Sequence, residues 1–290
     1  MYIRKVGVIG AGVMGLGISQ VLSEHGVDVI LVDKEEAIIE RAKQHLSHLL
    51  DKEIEKWGIT ETEKKVILSK IRFTLDKSLL READFIFETV DEILEVKKSI
   101  FREIDDICRP EVIFATNTST LSITEIAAVT RRPDKFIGLN FTHPVVKRQL
   151  VQIIRGFKTS DYTYEVAKAA VEKIGKKSIQ VFESPGYVTI RLMMPLLNEA
   201  MNLVVEGVAS AEDIDTAMRL GFDFPYGPLE MADRMGLDAV FRVTDALYRE
   251  YGDPKYRPAL ILRKLVRAGN FGEKTGEGFF KYNDKGERLN

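Results

Sequence analysis

The chain has 290 residues, of which 45% are apolar and 30% are charged, and its formal net charge is −2. This length favours two domains, and the apolar content supports a sizeable core and excludes wholesale disorder. The balanced charge, with no block of one sign, argues against nucleic acid or an anionic membrane as a partner. The single cysteine, Cys108, excludes an internal disulfide and fits a reducing cytosol.

No apolar run approaches the roughly 20 residues that a membrane-spanning helix requires, and the first strand begins too early to leave room for a signal peptide. We therefore expect a cytoplasmic protein. Cys108 ends an amphipathic segment, which makes it a helix-end residue rather than a nucleophile. No set of metal ligands is predicted.

Near the start of the chain, a predicted strand runs directly into a glycine-rich turn. Gly10, Gly12 and Gly15 have the GxGxxG spacing, with Val13 and Met14 in the same loop. Such a turn brings the N–H groups of a helix N-terminus close to a pyrophosphate. The spacing alone favours a binding loop and a purely structural turn about equally, but the position between a strand and a helix favours binding.

The second predicted strand ends in Asp33, about 20 residues after the glycine turn, where dinucleotide-binding domains have a carboxylate for the adenosine ribose. A carboxylate accepts hydrogen bonds from a 2′-hydroxyl and repels a 2′-phosphate. The expected cofactor is therefore NAD rather than NADP.

A pair of helices is predicted after Asp33. Apolar residues recur at three- and four-residue spacing over residues 34–57, which indicates one face of a long helix. Gly58 ends it, and Thr60 with Glu63 forms a capping box for a second helix that runs to about residue 69. The pair is longer than a crossover requires, so it either serves packing alone or carries part of a substrate site.

Strands and helices then alternate. Strands are predicted at residues 71–74, 84–88, 112–115, 150–154 and 178–182, and helices at residues 92–107 and 162–174. This alternation predicts a parallel sheet covered on both faces. Ligands bind beyond the carboxyl ends of such strands, so the segments after Glu88, Ala115 and Leu139 should face the glycine turn.

The pattern changes at residues 184–186, where Ser, Pro and Gly interrupt it. After Tyr187 we predict several amphipathic helices and no strand, with a kink at Pro195. The expected architecture is an α/β Rossmann-type doubly wound sheet with an inserted helix pair, followed by an all-α domain. The predicted domains are 1–185, which binds NAD, and 186–290, which serves substrate binding or dimerisation.

Several distinctive motifs follow one another along the chain, namely GAGVMGLGI, the helix pair, the stretch from Glu88 to Lys97, NTSTLSIT, SPGYVTIRLMMPLLNEA, GPLEMADRMGLD and KTGEGFFKY. In these motifs the chain resembles the L-3-hydroxyacyl-CoA dehydrogenase family, which includes 3-hydroxybutyryl-CoA dehydrogenases. The resemblance spans essentially the whole sequence. It implies a Rossmann domain with a helical dimerisation domain, a homodimer, an acyl-CoA substrate and a place in fatty acid metabolism.

The resemblance also implies roles for individual positions. Glu92, Lys97 and Lys274 stand where the family contacts the nicotinamide side of the cofactor, and Ser119 where a serine reaches cofactor and substrate. The alternative interpretation is that these residues have no functional role. Glu92 and Lys97 would then be solvated charges on a helix, and Lys274 a lysine of the C-terminal tail. Lys56 matches a coenzyme A contact, although a neighbouring family serine is Leu49 here, which weakens that part of the match.

The catalytic positions depart from the family pattern. The motifs HFFNP, LVEV and PGFxxNR of the family appear here as NFTHP, LVQI and PGYVTIR. By this resemblance, Asn140 replaces the general-base histidine, Gln152 the glutamate that orients it, and Ile190 an asparagine that positions substrate. An amide cannot take up a proton at neutral pH, and a missing base typically lowers the rate by about 10²–10⁴-fold.

His143 stands where the family motif has its asparagine, so the histidine and the asparagine look exchanged. One hypothesis is that His143 is a relocated acid or base, and the alternative is a loop histidine that hydrogen-bonds the cofactor. The other three histidines, His25, His45 and His48, lie on predicted outer helices. Lys147 and Arg148 are also unusual for the family, and they either bind a substrate carboxylate or face solvent.

These observations predict an NAD-dependent oxidoreductase that moves a hydride between C3 of a hydroxyacyl thioester, or a related hydroxy compound, and C4 of the nicotinamide. The alternative is a non-catalytic NAD- or acyl-CoA-binding relative that acts as a sensor or a subunit. The proposed catalytic set is Ser119, Asn140, His143 and Gln152.

Overall fold

Eight strands form a single sheet in the computed structural model, which describes residues 3–289. In chain order they are β1 (Lys5–Ile9), β2 (Asp28–Val32), β3 (Ile71–Thr74), β4 (Phe85–Glu88), β5 (Ile113–Thr116), β6 (Phe136–Phe141), β7 (Leu150–Arg155) and β8 (Lys177–Phe182). Across the sheet the order is β3-β2-β1-β4-β5-β6-β7-β8. The order reverses after β1, as in a doubly wound sheet, which confirms the predicted fold class.

The pairing of β6 with β7 is antiparallel, whereas the other strand pairs of this sheet are parallel. The alternation of strands and helices did not predict this reversal. Residues 142–149 join the two strands without a helix, and a parallel return requires a crossover of about a dozen residues or more. The chain therefore turns back directly, and Asn140 comes to lie opposite Gln152.

Helices cover both faces of the sheet, and all residues of β4, β5 and β6 are buried. The helices are α1 (Val13–Glu24), α2 (Glu36–Glu55), α3 (Glu61–Ser69), α4 (Leu94–Ile107), α5 (Ile123–Ala127) and α6 (Asp161–Lys173). On one face Phe101 of α4 packs against Phe114 and Phe136, with ring centroids 5.7 and 4.6 Å apart. On the other face Leu16 of α1 and Leu46 of α2 join one apolar cluster with the strands.

The inserted helix pair, α2 and α3, begins and ends close to the predicted residues. At the start of α3 the Thr60 hydroxyl accepts a hydrogen bond from the Glu63 N–H at 3.2 Å, and the Glu63 carboxylate accepts one from the Thr60 N–H at 2.7 Å. The predicted capping box is therefore confirmed. Both residues are exposed, so this reciprocal pair of bonds acts at the surface.

Cys108 follows α4 and is buried. Burial raises the pKa of its thiol to about 12, so the thiol stays protonated and unreactive at neutral pH. Its S–H group lies 3.7 Å from the carbonyl oxygen of Leu80. The prediction of a helix-end residue is confirmed.

The chain divides into two compact units, Met1–Ser184 and Pro185–Asn290. The second unit contains α7 (Thr189–Val205), α8 (Ala211–Phe222), α9 (Pro228–Met235), α10 (Leu237–Tyr251) and α11 (Leu260–Ala268). Its apolar core includes Met194, Leu197, Leu229 and Leu262. Helix α7 continues through Pro195, and the kink there stays a prediction.

The prediction of no strand after Tyr187 is wrong at the end of the chain. Strands β9 (Lys281–Tyr282) and β10 (Arg288–Leu289) form a small antiparallel pair. The carboxylate of buried Asp233 accepts hydrogen bonds from the N–H groups of Phe279 and Phe280, each at 2.9 Å, and from the Tyr282 hydroxyl at 3.1 Å. These two-residue strands therefore depend on a tertiary contact with α9, which periodicity does not reveal. Within residues 3–289, no helix is long and apolar enough to cross a membrane.

Thr60→Ala is expected to lower the free energy of unfolding by about 1 kcal/mol, because the variant loses the hydroxyl that accepts the Glu63 N–H. Urea denaturation followed by circular dichroism measures this change. Thr62→Ala, two residues along in α3 and also exposed, is the control and should change the stability by less than about 0.5 kcal/mol. Equal effects of the two substitutions would contradict the capping role.

Candidate active site

One row of paired residues runs across the sheet of the first unit, near the carboxyl ends of its central strands. Val32 pairs with Ile9, Ile9 with Glu88, Glu88 with Thr116, and Thr116 with Gly138. The loops after β1, β4 and β5 therefore leave the sheet at one edge, as predicted. Strand β6 continues past this row to Phe141 and carries its last residues beyond that edge.

The glycine loop has the geometry of a phosphate-binding turn. Gly10 has a positive φ of +101°, and a Cβ added to Gly15 would lie 1.9 Å from the carbonyl oxygen of Gly10. A Cβ added to Gly12, in contrast, would meet no atom within 4 Å. The loop therefore needs glycine at position 15 for packing, and it leaves open space at position 12, where a pyrophosphate approaches in dinucleotide-binding domains.

The N-terminus of α1 follows this open space. Gly12 is the N-cap residue and offers no side chain, and the first helical hydrogen bond runs from the Leu16 N–H to the Gly12 carbonyl oxygen at 2.9 Å. The N–H groups of the first turn, which includes Val13 and Met14, thus have no intrahelical acceptor. No acidic residue lies in that turn, so the positive end of the helix is available to an anion.

Asp33 connects the end of β2 to the glycine loop. Its carboxylate accepts hydrogen bonds from the N–H groups of Ala11 and Lys34, each at 2.7 Å. Each carboxylate oxygen has further lone pairs, so the half-buried side chain can also accept a ribose hydroxyl. The residues at this edge therefore fit NAD.

Glu88 is a residue of this region that the sequence did not single out. Glu88 and Lys97 are fully buried, and the Lys97 Nζ lies 2.8 and 3.0 Å from the two carboxylate oxygens. The same Nζ donates to the carbonyl oxygens of Val90 and Asn117, each at 3.3 Å. The buried Lys97 thus connects the loops after β4 and β5 by donating hydrogen bonds to both. The sequence did contain a signal for this pair, because Glu88 is an acidic residue at the end of an otherwise apolar strand.

Glu92 shapes the loop after β5. Its Oε1 accepts hydrogen bonds from the Thr118 hydroxyl and from the N–H groups of Ser119, at 3.0 Å, and Thr120, at 3.3 Å. Its other oxygen lies 3.7 Å from the Lys97 Nζ. Glu92 and Lys97 therefore act together on the segment that carries Ser119.

Asn140 and Gln152 meet across β6 and β7, with 6% and 1% of their surfaces exposed. The Gln152 Nε2 donates to the Asn140 Oδ1 at 3.0 Å. The Asn140 Nδ2 in turn donates to the carbonyl oxygen of Thr118 at 3.0 Å and to the Ser119 Oγ at 3.4 Å. Three of the four predicted catalytic residues are thus joined by hydrogen bonds.

His143 follows β6 and is exposed, as are Lys147 and Arg148. Desolvation and the positive charge of Arg148 lower the pKa of His143 below its usual value, so its imidazole is neutral at pH 7. A Cβ added to Gly17 would lie 3.1 Å from Val145, so this segment runs beside α1. The other three histidines are exposed, on or directly after helices α1 and α2.

The remaining predicted positions are on other elements of the chain. Lys56 is the C-cap residue of α2, a helix of 20 residues. It therefore lies about 30 Å along the helix axis from the start of α2, which is near Asp33. Lys274 lies in the second unit, in an ion pair with Asp238. Ile190 packs against the core of that unit. Among residues 3–289, no cluster of three or more His, Cys, Asp or Glu side chains could hold a metal ion.

Comparison with known families agrees with this geometry. Residues 5–184 match the 3-hydroxyacyl-CoA dehydrogenase NAD binding domain, and residues 186–282 match the C-terminal domain of 3-hydroxyacyl-CoA dehydrogenase. The chain belongs to the 3-hydroxyacyl-CoA dehydrogenase family. The resemblance seen in the sequence is confirmed, and so is NAD as the cofactor of the first domain.

Relatives of this family match along nearly the whole chain. The chain is 43% identical to a probable 3-hydroxybutyryl-CoA dehydrogenase of Deinococcus radiodurans, covering 96% of this chain and 100% of the relative. It is 39% identical to the mitochondrial hydroxyacyl-coenzyme A dehydrogenase of Homo sapiens, covering 97% and 91%. The crystal structure of (S)-3-hydroxybutyryl-CoA dehydrogenase from Ralstonia eutropha is 42% identical and superposes with a TM-score of 0.94, covering 98% and 100%.

Two glycine substitutions separate packing from cofactor binding. Gly15→Ala should lower the free energy of unfolding by about 1–3 kcal/mol, because its Cβ overlaps the Gly10 carbonyl oxygen. Gly12→Ala should leave the melting temperature almost unchanged but weaken NAD binding on the order of tenfold or more, because its methyl group occupies the open space. Thermal unfolding and calorimetric titration with NAD measure the two effects. Full NAD affinity in Gly12→Ala would contradict this position for the pyrophosphate.

Proposed function

We propose that this protein is an NAD-dependent oxidoreductase that transfers a hydride between C3 of a 3-hydroxyacyl thioester and C4 of the nicotinamide ring. One observation carries the proposal: a single sheet edge holds both a dinucleotide loop with Asp33 and the hydrogen-bonded set of Ser119, Asn140 and Gln152. The names of the relatives favour an acyl-CoA with a short acyl chain as the substrate.

The residues of the glycine loop hold the cofactor in this proposal. The free N–H groups of the first turn of α1 bind the pyrophosphate, and Asp33 accepts the hydroxyls of the adenosine ribose. Glu92 and Lys97 keep the loop after β5 in place on the nicotinamide side. NAD, when bound, supplies the hydride acceptor for oxidation, and its reduced form supplies the donor for reduction.

Ser119 binds the oxygen on C3 of the substrate. Its N–H is held by Glu92 and its Oγ by Asn140, so the hydroxyl is oriented before substrate arrives. Asn140 is oriented in turn by Gln152. Neither amide takes up a proton near neutral pH, so this set holds the substrate oxygen but does not deprotonate a hydroxyl.

His143 is the proton acceptor in this proposal. It follows β6 at the same edge of the sheet, and its lowered pKa keeps the imidazole neutral and able to accept the proton of the C3 hydroxyl. When the reaction runs towards the hydroxyacyl thioester, the protonated ring returns that proton to the substrate oxygen.

The second candidate function is a non-catalytic protein that binds NAD and an acyl-CoA. The observation that favours it is the Asn140–Gln152 pair, which is buried, hydrogen-bonded and unable to act as a base. In this alternative the exposed His143 only hydrogen-bonds the cofactor.

Further parts of the proposal concern the two domains, 1–185 and 186–290. We propose that Ile190 positions substrate and that Lys274 contacts the cofactor, as the family resemblance implies, and that the protein forms a homodimer in the cytoplasm. Large apolar side chains on the surface of the helical domain support a role in association, namely Leu192, Leu220 and Phe222, which are 71%, 79% and 71% exposed. Lys56, exposed at the end of α2, is proposed to contact coenzyme A.

The purified protein is expected to oxidise NADH in the presence of acetoacetyl-CoA, which is followed by the loss of absorbance of the reduced nicotinamide. The double substitution Asn140→His with Gln152→Glu installs a base and a carboxylate that orients it. Because His143 already supplies a base in this proposal, oxidation of 3-hydroxybutyryl-CoA should become faster by less than about tenfold, whereas a protein without a base should gain about 10²-fold or more. A thermal shift with NAD but no turnover in the unsubstituted protein, with turnover gained in the double variant, would support the non-catalytic alternative instead.

The pH dependence tests His143. Oxidation should rise with pH through an inflection below the ordinary histidine value of 6.5, because the base must be neutral and its pKa is lowered. Arg148→Gln removes a positive charge that lowers this pKa, so the inflection should move to higher pH. His143→Gln should reduce the rate by about 10²–10⁴-fold. An unchanged rate in His143→Gln would exclude His143 as the base.

A further inference from the structure

The buried amides of Asn140 and Gln152 form one end of a hydrogen-bonded chain that leads to Ser119. The two amide residues are direct partners in the antiparallel register of β6 and β7. Their side chains extend towards the loop after β5, where Ser119 is half-buried. The chain therefore runs from a dry interior to the position where the proposed function has the oxygen of the substrate.

The direction of each hydrogen bond in this chain is determined by its neighbours. A backbone carbonyl oxygen only accepts hydrogen bonds. The Asn140 group that lies 3.0 Å from the carbonyl oxygen of Thr118 is therefore the Nδ2 and not the Oδ1. The Oδ1 then faces Gln152 and accepts from its Nε2, also at 3.0 Å. A rotated Asn140 amide would set oxygen against oxygen at Thr118. Donation therefore runs one way, from Gln152 to Asn140 and from Asn140 to Ser119.

Ser119 ends this chain with a free donor. Its Oγ accepts from the Asn140 Nδ2 at 3.4 Å, the longest link, and its N–H donates to Glu92 at 3.0 Å. Within residues 3–289, no side chain or carbonyl accepts the proton of the Ser119 hydroxyl. That proton is therefore available to a ligand oxygen. The hydrogen bonds from Gln152 to Asn140 and from Asn140 to Ser119 polarise the Ser119 hydroxyl and strengthen it as a donor.

We infer that Gln152, Asn140 and Ser119 form a donor chain of fixed polarity, and that the site therefore binds a 3-oxoacyl thioester more tightly than the corresponding 3-hydroxyacyl thioester. The inference rests on the proposed function. A ketone oxygen only accepts hydrogen bonds, so it satisfies the Ser119 hydroxyl. A C3 hydroxyl must also donate. In the proposed function its proton goes to His143, which lies outside this chain, so the chain itself stabilises only an oxygen that accepts and favours the ketone.

Gln152 and Asn140 are positioning residues in this account, and only Ser119 contacts the substrate. Gln152→Glu reverses the chain with almost no change of shape. A carboxylate at position 152 accepts, so Asn140 has to turn its Nδ2 towards it, and the Asn140 Oδ1 then faces Ser119. The Ser119 hydroxyl donates inwards to that oxygen and no longer to the ligand.

Binding measures this preference directly, since a catalyst leaves the overall equilibrium of the reaction unchanged. Calorimetric titrations with acetoacetyl-CoA, 3-hydroxybutyryl-CoA and coenzyme A give three affinities for each protein. In the unsubstituted protein we expect acetoacetyl-CoA to bind about tenfold more tightly than 3-hydroxybutyryl-CoA. In Gln152→Glu the ratio of the two affinities should fall to about one or below. Gln180→Glu, the same change at an exposed residue of β8, should leave the ratio unaltered.

Ser119 provides an independent test if the buried carboxylate of Gln152→Glu unfolds the protein. Ser119→Ala removes the terminal donor and should abolish the preference, whereas Ser119→Thr retains a hydroxyl and should preserve it. Thermal unfolding verifies that each variant is folded.

The outcomes separate the two proposals. If both thioesters bind more tightly than coenzyme A but equally with each other, the inference is wrong and the proposed function stands. An unchanged ratio in both Gln152→Glu and Ser119→Ala also overturns the inference. If neither thioester binds more tightly than coenzyme A, the proposed function fails and the inference fails with it.

Discussion

The buried ion pair between Glu88 and Lys97 is the interaction on which the whole carboxyl edge depends. Neither side chain reaches solvent, so each charge is stabilised by the other, by nearby backbone and hydroxyl groups and, for Lys97, by the Glu92 carboxylate at 3.7 Å. Removing one partner of a buried pair typically costs about 3–5 kcal/mol, because it leaves an uncompensated charge. Lys97 also binds the loops after β4 and β5, so the pair sets the position of Glu92 and, through it, of Ser119.

The Asn140–Gln152 pair shows how one change in a buried site constrains another. A glutamate opposite an asparagine would force the asparagine to donate to it, which leaves the carbonyl oxygen of Thr118 facing another acceptor. A glutamine donates instead, and every polar group of the Asn140 amide then has a partner. The two amides therefore satisfy each other's hydrogen bonds. In exchange, neither position has a side chain that takes up a proton near neutral pH.

Much of the first domain was predictable because its signals are local. The glycine spacing, the capping box at Thr60 and the alternation of strands and helices each depend on residues close in sequence, and the structure agrees with each. The antiparallel β7 and the strands β9 and β10 were not predictable in this way. The antiparallel direction of β7 follows from the short connection between β6 and β7. The pair of β9 and β10 depends on Asp233, a residue far away in the sequence.

By itself, the sequence determined the doubly wound fold and the glycine loop with Asp33, because these depend on spacing and on residue type. It also predicted Ser119, Asn140 and Gln152 as site residues, but it did not single out Glu88. Only the tertiary structure decided how those residues act on one another. It buried Lys97 against Glu88, and it set Asn140 opposite Gln152 in the register of two antiparallel strands. The physical reason is that the direction of a hydrogen bond depends on which groups face each other across the fold, and neither periodicity nor composition contains that information.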